Sequence, residues 1–327
     1  MSQPALSRDA IGGCKILVQT CAALLVDERV TVVSDPDTVE IGEGIASAAS
    51  EVAEDVTHRT IDALLVHGQE PPADVAAQMA RSHVIFGVTR LSMAHTQARL
   101  SASEEGARYL SLPDYSEAVL ESQALRADFR GLTVEAESVA GALSNATEIV
   151  LYTGEGQRLV CSSEGRQGNS APGWCPSPGS LASPPDSEAN VAVVEDRSEG
   201  VFVVNGSIPC PELGLLQAEI ELFVRDGLVT DIRGERSEAL RSLLFGQSSS
   251  KARIIAEFGI GLNPSASLCG VMLEDEGCRG TVHLGVGGNA TVGGKNEVAF
   301  HLDHVVGDAT VEIDGQVIVE NGTLKGI

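Results

Sequence analysis

Four side chains able to hold a metal ion stand between Glu257 and Asp303: Glu257 in AEFGIGLNP, His283 in GTVHLGVGGN, and His301 and Asp303 in AFHLDHV. The closing His301-Leu302-Asp303 is the most informative. On a strand, alternate side chains share a face, so His301 and Asp303 point one way and apolar Leu302 the other. An imidazole beside a carboxylate suits a divalent ion such as Zn, Mn or Fe. Alone, an HxD triplet is more often a polar strand end carrying a histidine. Glu257 and His283, in the same glycine-rich and strand-like stretch, raise it to a candidate site. His304 adjoins the triplet but faces the opposite side of the strand. Gly287, Gly288, Gly293 and Gly294 lack the Lys-Ser/Thr ending of a phosphate loop, and they read as a tight turn that lets backbone approach the site.

The elements that must position these residues fall into two halves. Up to about residue 115 helix and strand alternate, with helices expected at 14–26, 37–54, 72–81 and 92–105. Strands are expected at VTVVSD, ALLVHG, HVIFGVT and ARYLSLP. This βα alternation implies a parallel sheet with helices on its faces. No GxGxxG follows the first strand, so nothing supports dinucleotide binding. Residues 116–145 read as helical. Beyond 148 short strands and turns take over, with hairpin signals at Asn205-Gly206, Asp226-Gly227 and Asp314-Gly315 and one helix near 235–256. The fold class expected is a doubly wound, Rossmann-like α/β domain over 1–125, followed by a β-rich α+β metal-binding domain over 126–327. A stretch rich in Ser, Pro and Gly, 163–190, reads as a flexible linker or as a wall or lid of the site.

Bulk properties narrow the partners. The 327 residues carry a formal net charge of −24, which argues against nucleic acid and anionic membranes as partners. No apolar run is long enough to cross a membrane, and ILVQTCAALLV reads as a buried helix rather than a signal peptide. Seven scattered cysteines without a CxxC suit reduced thiols, so a cytoplasmic enzyme is expected.

Four stretches taken together resemble a known family: TRLSMAHTQARLSASEEGARYLSLP, GQRLVCSSEGR, PPDSEANVAV, and AEFGIGLNP through FHLDHVV. In this order they are similar to the metallo-aminopeptidases of the T/S type and their relatives, which include the 2,5-dihydroxypyridine dioxygenases. The aminopeptidase likeness implies two metals (Zn, Mn or Co) held by Glu188, Glu257, His283, His301 and Asp303. Water activated there would hydrolyse a peptide or small amide, with Glu257 or Glu188 bridging the metals or acting as base. Two departures stand out. The family's oxyanion tyrosine, seven residues past the first histidine, is Ala290 here, and His283 and His301 lie only 18 positions apart. The shortened loop looks more like the dioxygenase branch, where one Fe(II) is held by two histidines and an aspartate. Here His301 and Asp303 would be joined by His283 or Glu257, and His95 in MAHTQAR would approach the substrate. A third reading is a family member that has lost catalysis and only binds. The likeness also implies a homo-oligomer and a small-molecule or peptide substrate.

Overall fold

A computed structural model describes residues 6–326, which form two compact units. The first comprises residues up to Arg130 together with Gly173–Pro185, and the second Gly131–Pro172 with Asp186 onward. The chain is thus an α/β unit and a β-rich α+β unit.

In the first unit five strands run parallel in the order Asp55–Thr60, Arg29–Ser34, Val84–Val88, Arg108–Ser111 and Leu181–Ala182. The sequence VIFGV is apolar throughout because every residue of that central strand is buried. The edge strand DVTHRT is half-exposed and polar, which hid it from the hydrophobic pattern. The run ALLVHG, expected as that strand, is instead a loop in which Leu65 and Val66 lie open. Helix 14–26 is displaced towards the N-terminus: Arg8–Ile16 is α-helical and continues as a π-helical turn, Leu17–Cys21.

In the second unit an eight-stranded and a seven-stranded sheet enclose one apolar core. The seven-stranded sheet contains four adjacent strands that matter here: β1 (Glu188–Ala192), β2 (Ile255–Gly261), β3 (Val282–Gly287) and β4 (His301–Val306), in the spatial order β1-β2-β3-β4. All three pairings are antiparallel. Alternation decides the faces: Phe258 and Ile260, Val282, Leu284 and Val286, and Leu302 and Val306 enter the core. Glu257, His283, His301 and Asp303 are left on the other face. A register shift between Ile255 and Glu257 lets Ile255 also join the core without turning Glu257 inward.

The long helix expected over 116–145 is broken into Glu117–Glu121, a 3-10 turn and Thr133–Asn145. The one near 235–256 shrinks to Ser237–Phe245. Residues 163–190 are no single loop. They supply strand Gly168–Ala171 to the second unit, Leu181–Ala182 to the first, and the start of β1.

Candidate metal centre

Strand register builds the centre. Glu257 pairs with Gly285, and Gly285 in turn with Asp303; Gly259 pairs with His283, and Gly287 with His301. Glycine stands beside each imidazole for a reason of space. A Cβ on Gly259 would lie 2.1 Å from the His283 ring, and one on Gly285 would lie 2.5 Å from the His301 ring and 2.9 Å from Glu257. The two rings therefore lie over bare backbone.

Five expected ligands come together on this face. Glu188, Glu257 and His283 form one set of converging donors, and Glu257, His301 and Asp303 a second, with Glu257 common to both. His283 Nε2 is 3.0 Å from Glu188 Oε2 and 3.9 Å from Glu257 Oε1; His301 Nε2 is 3.5 Å from Glu257 Oε2 and 3.1 Å from Asp303 Oδ1. Donors about 2.1 Å from one ion stand no more than about 4.2 Å apart, so each of these four separations fits a shared cation. His283 groups with Glu188, and Glu257 is the third member beside His301 and Asp303. Glu188 and His283 are buried, whereas 33% of the His301 side chain is open.

The electrostatics fit a cation too. Burial pushes the Glu257 carboxyl up, against the pull of His283 and His301. Burial opposes charge on His283, yet Glu188, Glu257 and Glu276 outweigh it and raise the imidazole well above its ordinary value. His301 is likewise raised to about 10, with burial overcome by Asp303 and Glu257. Burial opposes ionisation of Asp303, but His301 pulls it well below the usual carboxylate range. Glu188 Oε2 is buried with no hydrogen-bond partner among the described residues, although it lies 3.0 Å from His283 Nε2. An orphaned carboxylate oxygen of this kind, in a set rich in carboxylate and imidazole, is what a divalent ion satisfies.

Sequence reasoning missed several members. Asp186 and Glu276 each bury an oxygen without a hydrogen-bond partner. Both are pushed well up, first by burial and then by a neighbouring carboxylate, Glu188 for Asp186 and Asp303 for Glu276. The spacing Asp186-x-Glu188-x-Asn190 was the available signal, since alternate residues of a strand share a face. Asn190 Nδ2 donates to Glu188 Oε1 at 2.7 Å. His95 is not among the residues gathered on this sheet; it lies exposed in the first unit, just before helix Gln97–Glu104. His304 enters the core face, where its Nδ1 is 3.1 Å from the Leu284 carbonyl.

The site fits an enzyme with a divalent-metal centre. The chain matches the 2,5-dihydroxypyridine 5,6-dioxygenase (NicX) family over residues 25–326, and it belongs to that family. Two solved structures are similar. One is the 2,5-dihydroxypyridine dioxygenase from Pseudomonas putida KT2440, at 18% identity and a TM-score of 0.84, with 98% of this chain and 99% of that one covered. The other is wild-type AmpT from Thermus thermophilus, at 15% identity and a TM-score of 0.69, with the same shares covered. None of the curated proteins matches the chain. Among the described residues no helix is long and apolar enough to cross a membrane.

Proposed function

We propose that the chain is a metal-dependent enzyme that opens a small hydroxylated aromatic ring, of the dihydroxypyridine kind, with molecular oxygen. Family membership motivates the chemistry. One observation of the site carries it: the Glu257–His301–Asp303 triad is the one whose imidazole is open, so a substrate can reach it. Fe(II) bound there would supply open coordination positions and redox capacity. The chain's own residues do the rest. His301 and Asp303, held parallel on β4, present one nitrogen and one oxygen to the same point. Glu257 turns one oxygen toward that point and the other toward His283. Glu188 and His283 form a buried pair behind it that fixes its orientation. Asp186 and Glu276 keep their protons at pH values where a surface carboxylate is ionised, so they are the neighbouring acids able to release one.

A second reading, hydrolysis of a peptide or small amide, is favoured by the sharing of Glu257. A carboxylate common to two triads is how two ions are held side by side, and such a pair activates water. Ala290 weighs against it: this residue lies exposed on the turn Ala290–Val292 and offers no hydroxyl to an oxyanion. The deciding assay loads the protein anaerobically with Fe(II), or separately with Zn(II) or Mn(II). Oxygen uptake with 2,5-dihydroxypyridine by the iron form supports the first reading. Release of arylamine from a leucine anilide by the zinc or manganese form, without oxygen uptake by the iron form, overturns it.

A further inference from the structure

We infer that the segment Gly288–Asn296, which joins β3 to β4, is a clamp that orients both ends of the ligand row, with Asn289 and Asn190 as its positioning residues. This rests on the metal-centre reading and extends it to residues outside the ligand set.

At one end the clamp fixes His301. Its Nδ1 lies 2.7 Å from the Gly288 carbonyl. A carbonyl only accepts, so Nδ1 bears the proton and Nε2 is left to face Glu257 and Asp303. The Gly288 carbonyl is aimed by its neighbour. Asn289 is fully buried and uses its whole amide: Nδ2 donates to the carbonyls of Val193 (3.2 Å) and Ala256 (3.1 Å), and Oδ1 accepts from the Asn296 backbone N–H (2.8 Å). Asn296 in turn donates to the Gly287 carbonyl at 2.6 Å. Gly294 packs on this amide, where a Cβ would stand 2.0 Å from the Asn289 side chain.

At the other end the same segment reaches Glu188. The Val292 carbonyl accepts from Asn169 Nδ2 at 3.2 Å, and that nitrogen also donates to Asn190 Oδ1 at 2.8 Å. Asn190 then donates to Glu188 Oε1, which leaves Oε2 facing His283. Neutral amides suit both tasks: they impose direction without adding charge to a crowded set of carboxylates. Outer partners of this kind fix tautomer and ligand orientation at metal centres.

The test is Co(II) titration of the metal-free full-length protein as wild type, Asn289→Ala and Asn190→Ala, following affinity and the Co(II) absorption bands, with circular dichroism and thermal melts of the metal-free forms alongside. Both variants are expected to bind Co(II) about tenfold or more weakly than wild type, with altered bands, while still melting cooperatively. A purely structural role would lower the melting temperature and leave the bands unchanged. Asn289→Ala removes three buried hydrogen bonds; if it does not fold, Asn190→Ala decides, because its amide contacts only two side chains. A folded Asn190→Ala with wild-type affinity and bands overturns the clamp and leaves the metal centre standing. A wild-type chain that binds no Co(II) overturns both.

Discussion

His301 and His304 stand three residues apart on one strand, and the odd spacing sends them to opposite faces of the sheet. His304 is fully buried and a third of the His301 side chain is open, yet desolvation presses both toward the neutral ring and only His301 ends charged. His304 meets the core, packs edge-on to Phe202 with ring centroids 6.2 Å apart, and is pushed down to about 4 by burial. His301 meets Asp303 and Glu257 and is pushed up to about 10. The difference teaches that burial alone removes charge, whereas burial among carboxylates concentrates it. One face of these four strands is therefore a folding surface and the other the proposed cation-binding surface, separated by the thickness of a single sheet.

The comparison can be broken most severely at Glu257, the residue that both triads use. Glu257→Ala should reduce bound divalent metal to background, as measured by elemental analysis after reconstitution. If the variant keeps wild-type metal content, Glu257 is not shared. Asp303→Ala removes only the open triad. It should cut turnover by about a hundredfold or more and abolish metal binding at His301, while circular dichroism shows the first unit still folded. Gly259→Ala probes the space beneath His283. The added Cβ meets the ring at 2.1 Å, so the chain should lose about 1–3 kcal/mol in urea melts and hold metal less tightly. An unchanged melt would mean that the ring does not lie there.

The smallest effect tests the core face. His304 has a folded pKa below its ordinary value of about 6.5, so its contribution to stability is present above that pH and is lost as pH falls toward about 4. His304→Leu should therefore flatten the acid limb of stability of the metal-free protein between about pH 6.5 and 4.5, by at most about 1.4 kcal/mol per pH unit. Equal slopes for variant and wild type would show that His304 is not buried as a neutral ring. His301 has the opposite sign: its contribution is present below about 6.5 and lost as pH rises through about 10.

Much of this site was legible because strand alternation is a short-range rule. His301-x-Asp303 declares a shared face from three residues, and Gly259 and Gly285 sit within the same strands as Glu257 and His283. The parallel first sheet was legible from its apolar runs, except at the polar edge strand Asp55–Thr60 and the apolar loop at Leu65 and Val66. What stayed hidden depends on contacts distant in sequence. Nothing local marks Asn289 as the residue that turns a backbone carbonyl toward His301. Nothing near Glu276 announces a carboxyl that burial and the Asp303 charge hold protonated. The stretch 163–190 reads as low complexity because its strands are short and belong to two units.

The central claim, that one face of β1–β4 binds divalent metal through the Glu257-centred triads, is tested most directly by metal content per chain. The protein should be purified anaerobically without a histidine tag and reconstituted with Fe(II), beside Asp303→Ala treated identically. The account predicts at least one tightly held ion in the wild type and its loss in the variant. No retained metal in the wild type, or equal metal in both proteins, would contradict it.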